Sequence, residues 1–239
     1  MDTAGNRSQS ATSGIPWREL VLIPAAISLV VTLLRLTGEL LLWSPRFFNR
    51  EAGGPGSIVG IVWLVPVFGI YFAYRLAVQG HAPAGRLRGL LLALAAILAV
   101  MALIAAVPRL GLGPLARVAL FNVGAVIGAG ITYLGWPHLA RTNVVYGYLA
   151  RIPVAVVMLI AMSLNWGTHY ELGPPGFPEM GVFAKWLWIG LLPQMVFWIG
   201  FTVVIGGLFG GAAYAIFGSR WSARARMSVG APAGAQAGG

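Results

Sequence analysis

The chain has no cysteine and little charge. Only 9% of its 239 residues are Asp, Glu, Lys or Arg, whereas soluble globular proteins carry roughly 25%. The absence of cysteine excludes disulfides, thiolate nucleophiles and thiolate metal sites. Asp occurs once, as Asp2, which excludes any mechanism that needs an aspartate inside an apolar segment.

Recognisable catalytic motifs are missing as well. The chain contains no Gly-x-Ser-x-Gly elbow, no His-Glu-x-x-His, no P-loop and no Gly-x-Gly-x-x-Gly after a strand. His169 and Glu171 are two residues apart, which is poor spacing for a helical metal pair. The sequence therefore predicts no catalytic residue, no metal and no cofactor.

Apolar residues dominate what is present. They make up 58% of the chain, and the mean hydropathy is +0.81, which predicts an integral membrane protein of the all-α class. The fold expected is a polytopic bundle of six transmembrane helices within one domain, 18–218, between disordered tails at 1–17 and 219–239. The expected spans are 20–43, 58–78, 89–107, 115–136, 144–164 and 193–217.

The last apolar stretch, 182–217, is too long for one straight span. Its 36 residues would measure about 54 Å as a helix, against a hydrocarbon core of about 30 Å. Two structures remain open. Either the stretch is one kinked helix, or Lys185, Trp186 and Trp188 lie in the interface and the span begins near Pro193.

The basic residues predict the orientation. With both termini cytoplasmic, nine Arg residues fall on the inner side, and four Arg with Lys185 fall on the outer side. The richness in Arg, Ala and Gly favours a bacterial cytoplasmic (inner) membrane. The net charge of +10 is spread along the chain, so the expected partner is the lipid bilayer and not a nucleic acid.

Arg35 and Glu39 form the most conspicuous polar feature of the apolar segments. Glu39 is the one carboxylate inside any of them, and a spacing of four places the two side chains on one helix face, where they can pair. Because Glu39 falls near the outer end of the first span, one interpretation is an interfacial anchor. The other is half of an outer polar site.

The candidate second half of that outer site is the loop 165–179. It carries Asn165, His169 and Glu171 on the same predicted side as Glu39. Proline and large aromatic residues stiffen this loop, so we expect an ordered cap over the bundle. An interfacial anchor and a binding lid are equally compatible with this composition.

Arg151 and the glycines complete the candidate residues. Arg151 falls in the inner half of the fifth span, where it would contact headgroups or backbone carbonyls, or bind an anion. Small-xxx-small spacing predicts close helix packing, first between the fourth and sixth spans and alternatively with another subunit. The glycines with this spacing are Gly124, Gly128, Gly206, Gly207, Gly210 and Gly211.

Three hypotheses for function follow. The first is a non-enzymatic accessory or scaffold subunit that packs against a membrane protein partner or a second copy of itself. The second is a small transporter or channel, which requires a polar cavity at the bilayer midplane. The third is an outer-leaflet lipid-modifying enzyme that uses Glu39, His169 and Glu171, which requires these side chains to converge.

Overall fold

The computed structural model describes residues 17–53 and 56–230, and within them the chain is helical with no strand. The α-helices are α1 Trp17–Leu40, α2 Leu64–Val78, α3 Arg88–Ala106, α4 Pro114–Gly135, α5 Pro137–Leu164, α6 Val182–Lys185 and α7 Trp198–Gly230. Short 3₁₀ turns occupy Val107–Leu110 and His169–Glu171, and π-helical segments occupy Trp186–Leu191 and Pro193–Phe197.

Five helical stretches are long and apolar enough to cross a membrane, which is the architecture of an integral membrane protein. These are Arg18–Leu40, Arg88–Leu110, Pro114–Gly135, Pro137–Leu164 and Val182–Ala225. The expected second span forms only the shorter apolar helix α2, of 15 residues. Helix α3 is the most exposed of the long stretches, as expected for a segment with no polar side chain to bury.

Two helices begin at least six residues away from the start that the hydropathy pattern predicts. Helix α2 begins at Leu64 and not at 58, because the backbone N–H groups of Ile58 and Val59 donate to the carbonyls of Arg46 and Phe47. Helix α5 begins at Pro137 and not at 144. The polar segment 137–143 suggested a loop, but proline is well suited to a first helical position.

The final apolar stretch is one continuous helical element. Residues Val182–Ala225 run without interruption, so of the two structures left open the single helix is the one observed, and Pro193 lies inside a π-helical segment. Helix α7 extends to Gly230. The predicted disordered tail therefore does not begin at 219, while its remainder at 231–239, and 1–16 of the N-terminal tail, lie outside the described residues.

Helix α7 is the centre of the bundle, and its glycines allow the backbones of neighbouring helices to approach closely. A Cβ on Gly69 of α2 would lie 2.6 Å from the Cα of Gly206, and one on Gly211 would lie 2.8 Å from the backbone N of Leu90 in α3. Such approaches exclude any larger side chain. Each of α2, α3, α4 and α5 thus packs on α7 at a glycine.

The predicted packing of the fourth on the sixth span accounts for part of this pattern. A Cβ on Gly128 would contact Val204, and Gly207 faces Thr132, so both belong to the α4–α7 contact. Gly206 faces Asn143 of α5 instead, Gly210 faces the carbonyl of Gly69, and Gly124 faces Leu103 of α3. The glycines of α7 therefore contact four neighbouring helices. Their spacing along the chain did not show which helix each glycine contacts.

Candidate functional site

One face of α1 carries a continuous polar stripe that is buried against the bundle. Ser28, Thr32, Arg35 and Glu39 follow at helical spacing, and Ser28, Thr32 and Glu39 are 0–2% exposed. The Ser28 hydroxyl lies 2.8 Å from the Tyr146 hydroxyl of α5. The stripe therefore extends from the interior of the bundle to the end of α1 at Leu40.

Glu39 binds both Arg35 and the cap, which we define as residues 165–181. Its Oε1 accepts a hydrogen bond from Arg35 Nε at 2.9 Å, and its Oε2 accepts one from the backbone N–H of His169 at 3.0 Å. The Nδ1 of His169 lies 2.8 Å from Oε2 and 2.6 Å from Oε1. Glu39 is thus fully buried and not an exposed interfacial anchor.

The cap is an ordered element whose first turn positions His169. Asn165 ends α5 in the left-handed conformation, with φ 50°. The 3₁₀ turn His169–Glu171 begins with a capping box, in which Glu171 Oε1 accepts the backbone N–H of Thr168 at 2.6 Å. Arg50, from the loop after α1, donates to the carbonyl of Gly167. The cap is therefore tied to α1 and to the following loop.

Of the residues predicted for the outer site, Arg35 and His169 both contact Glu39. Asn165 and Glu171 lie outside this cluster. The Asn165 side chain is exposed at the end of α5. Glu171 is buried, and its carboxylate stabilises the 3₁₀ turn through the capping box. These two residues shape the cap.

A cavity of about 390 Å³ lies under the cap and extends into the bundle. Ala52, Gly53, Leu172 and Pro174 line it where the two loops meet, and Arg151, Met158, Gln194 and Trp198 line it among the helices. Arg35 and His169 also face it. Most other lining residues are apolar, and they include Ile61, Val62, Val118, Val154 and Ile189.

Arg151 supplies an uncompensated positive charge at the deep end of this cavity. It lies thirteen residues before the end of α5 at Leu164, which is about 20 Å along the helix, and it is 5% exposed. Its guanidinium lies 4.3 Å from the ring centroid of Trp198, and Nη1 lies 3.4 Å from Gln194 Oε1. Among the described residues no carboxylate pairs with it, and Nη2 is buried without a hydrogen-bond partner.

Of the alternatives given for Arg151, this environment favours contact with an anion over contact with headgroups. The side chain does not extend to a membrane surface but faces the interior cavity. A buried guanidinium without a counter-ion is costly, because its lost hydration is not replaced. Such a group in a cavity is suited to bind an anion.

Burial changes the pKa values of the two cap residues nearest the cavity. The pKa of His169 is lowered, first because burial disfavours the charged ring and also because Arg35 is close, although Glu39 opposes this effect. Burial also raises the pKa of Tyr170. His169 is therefore neutral, and Tyr170 protonated, at neutral pH.

Sequence reasoning missed several residues of the site. The spacing of Ser28 and Thr32 with Arg35 and Glu39 was available as a signal, because all four share one helical face. Tyr170 carries no signal beyond that of an aromatic residue in the cap, and Gln194 is a neutral polar residue of a kind that commonly forms hydrogen bonds between membrane helices. No local signal connects Trp198 with Arg151, since they meet only through the packing of α5 against the start of α7.

The other two histidines lie outside this site. The ring centroids of His81 and His138 are 4.7 Å apart, on the connection before α3 and in the first turn of α5. The search of the described residues finds no group of three or more His, Asp or Glu side chains that is arranged to hold a metal ion.

Comparison of the chain with protein-family models, with curated proteins and with solved structures finds no match. The features that indicate a function are therefore the cavity, its charges and the residues that surround it.

Proposed function

We infer that the chain crosses a bacterial cytoplasmic membrane six times, with both termini inside and the cap outside. The five long apolar stretches and the distribution of Arg and Lys support this topology. Helix α2 would be the sixth span. Its 15 residues measure about 22 Å, and its backbone approaches α7 at Gly69, so protein covers much of it.

We propose that the protein binds an amphiphilic anion, a lipid-like molecule with a phosphate or carboxylate group, in the cavity under the cap. The observation that carries this proposal is Arg151, a buried guanidinium that faces the cavity with Nη2 unpartnered and no carboxylate beside it among the described residues. A bound anion supplies the missing charge and hydrogen bonds. Arg35 faces the same cavity and adds a second guanidinium.

The walls of the cavity favour an amphiphile over an inorganic ion. Its volume of about 390 Å³ falls in the range of sites for small organic molecules, which are mainly apolar with a few placed polar groups. Here Ile61, Val62 and Ile189 are among the apolar lining residues. An alkyl chain would contact these residues while the anionic group binds Arg151.

The test measures retention of phosphatidylglycerol by the purified, delipidated protein, with phosphatidylethanolamine as the zwitterionic comparison. Charge-assisted hydrogen bonds contribute about 1.5–3 kcal/mol, so Arg151→Gln should weaken binding of phosphatidylglycerol about 10- to 100-fold. Arg117→Gln is the matched control, because Arg117 is exposed on α4. Equal affinity of the wild type and Arg151→Gln, or no preference for the anionic lipid, would contradict the proposal.

A transporter of small anions is the second candidate. The observation that favours it is depth, because the cavity extends to a residue near the middle of α5. The two π-helical segments beside Gln194 add an element of a kind frequent at functional sites. This candidate predicts that inorganic phosphate displaces phosphatidylglycerol and crosses proteoliposomes that contain the protein, and retained phosphate gradients would eliminate it.

The accessory-subunit hypothesis remains a proposal of a different class. Large apolar side chains on α3 and α4, such as Leu98, Val126 and Leu134, are exposed, and lipid or another membrane protein can cover them. It predicts a stoichiometric membrane protein partner or a second copy after mild purification. Recovery of a lone monomer that binds phosphatidylglycerol would favour the lipid-binding proposal.

A further inference from the structure

The Nδ1 atom of His169 contacts Glu39, and the other ring nitrogen, Nε2, is on the side of the ring away from that contact. The carboxylate of Glu39 can only accept, so Nδ1 carries the proton of the neutral ring and Nε2 carries the lone pair. Nε2 lies on the far side of the ring from Glu39, and the ring lines the cavity. Among the described residues no hydrogen bond to Nε2 is formed.

No protein nucleophile accompanies this base among the lining residues. The chain has no cysteine, and the cavity contains no serine or lysine. The Thr32 hydroxyl donates to the carbonyl of Ser28 at 2.9 Å, and burial keeps the phenol of Tyr170 protonated. Water is therefore the nucleophile that Nε2 can activate.

Arg151 is the uncompensated cation that can stabilise negative charge beside that base. Arg35, whose charge is paired with Glu39, also lines the cavity with His169, and Tyr170, whose ring centroid lies 3.9 Å from that of His169, lines it too. A fixed cation stabilises charge that develops during attack on an ester. A general base, a water site and a fixed cation are the parts that ester hydrolysis requires.

We propose that the protein hydrolyses an ester bond of anionic glycerophospholipids, with the Nε2 of His169 as general base. This proposal rests on the anion binding proposed above. The new bond joins the water oxygen to the ester centre, which is a carbonyl carbon or a phosphorus, and the bond from that centre to the alkoxy oxygen breaks. One proton passes from water to Nε2 and then to the departing alkoxide, so one water is consumed and an acid and an alcohol are released.

Glu39 is a positioning residue in this mechanism. Its carboxylate fixes the ring of His169 and its tautomer through three contacts, and Arg35 holds the carboxylate in turn. In Glu39→Gln the amide group can donate to Nδ1, which moves the ring proton to Nε2 and removes the base. The variant should therefore lose rate while it keeps bound lipid.

The experiment places the full-length protein in nanodiscs of phosphatidylethanolamine, phosphatidylglycerol and cardiolipin in ¹⁸O-labelled water. Mass spectrometry of the products shows whether ¹⁸O enters a fatty acid or a phosphate group, and so which ester is cleaved. General-base catalysis contributes about 10²- to 10⁴-fold, so His169→Gln should lose at least 100-fold in rate. His81→Gln is the matched control, since His81 lies outside the cavity, and it should keep the wild-type rate.

Lipid retention, measured on the same nanodisc samples, distinguishes failure of the hydrolase proposal from failure of the binding proposal. Wild-type protein that retains phosphatidylglycerol but incorporates no ¹⁸O would overturn the hydrolase and leave the binding proposal intact. Loss of retention by the wild type would overturn both. If His169→Gln unfolds, Glu39→Gln with wild-type retention and an unchanged rate would still refute the role of the dyad.

The dependence of the hydrolysis rate on pH shows whether His169 acts as a base or only supports the fold. Because burial lowers the pKa of His169 from its usual value near 6.5, the rate should be flat at neutral pH and fall only when acidification protonates Nε2. The charged and titratable groups around His169 are Arg35 and Glu39 of α1, Tyr170 of the cap and Arg151 of α5. Tyr170 keeps its proton over the pH range of the assay, because burial raises its pKa, and a rate that does not fall on acidification would contradict the mechanism.

Discussion

Arg151 and Glu39 are both charged side chains buried in an apolar bundle, but their surroundings differ. Glu39 has an arginine and a histidine within 3 Å, so its charge is compensated inside the protein. Arg151 has an amide oxygen at 3.4 Å and an aromatic ring, neither of which carries a full negative charge. The first arrangement stabilises the attachment of the cap, whereas the second leaves a charge that a ligand can compensate.

This difference predicts that Arg151 reduces stability in the absence of ligand. Arg151→Met should raise the free energy of unfolding of the delipidated protein by about 1 kcal/mol or more, because an apolar side chain of similar length removes a buried unpaired charge. Denaturant titration in mixed micelles measures the change. Arg117→Met, at an exposed position, should stay within about 0.5 kcal/mol of the wild type. A large destabilisation by Arg151→Met would show that Arg151 is satisfied within the fold.

At the scale of the elements, the close backbone approach of α2 to α7 determines where α2 lies. Gly69 and Gly206 meet without side chains between them, so a short helix with little surface of its own is held against the centre of the bundle. Ile61, three residues before α2 begins at Leu64, lines the cavity. The glycine contact therefore also fixes one wall of the site.

Gly69→Ala should destabilise the protein by about 1–3 kcal/mol through overpacking, since the new Cβ would lie 2.6 Å from Gly206 backbone atoms. Gly130→Ala in α4 is the matched control, because nothing lies within 4 Å of its Cβ position. The control should be neutral or slightly stabilising, as alanine favours the helix. Thermal unfolding in detergent compares the two, and equal behaviour would mean that the α2–α7 approach is wider than described.

For the whole molecule, the distribution of charge and the position of the cap predict which side of the membrane each loop faces. The cap and the loop after α1 meet over the cavity, and the proposed topology places them outside the cell. The chain contains no cysteine, so a single introduced cysteine reports its own side of the membrane.

Glu179→Cys, in the cap, should react with a membrane-impermeant maleimide in intact cells. Ala84→Cys, between α2 and α3, should react only after the cells are permeabilised. Both positions are exposed in the folded protein, so a difference in labelling reports topology and not burial. The reverse pattern would invert the orientation, and labelling of both positions in intact cells would contradict six spans.

The predictable part of the structure is local. Apolar runs and proline or glycine breaks indicated the helical class and the approximate helices, because the cost of placing a polar group in hydrocarbon acts at each position along the chain. Errors occurred where hydropathy and backbone geometry diverge. Apolar residues 58–63 are not helical, and Ile58 and Val59 bond to the preceding loop. Polar residues 137–143 are helical, and Pro193 is accommodated in a π-helical segment.

The apolar runs and residue spacing alone indicate an apolar helical protein with a charged pair near one end of its first long helix and an aromatic, proline-rich loop. The packing of the helices is needed to show that Glu39 binds His169, 130 residues away, and that Arg151 faces a cavity and not headgroups. Pairing within a helix depends on spacing along the chain. The meeting of distant charges, and the space left between them, depends on how every helix packs on α7.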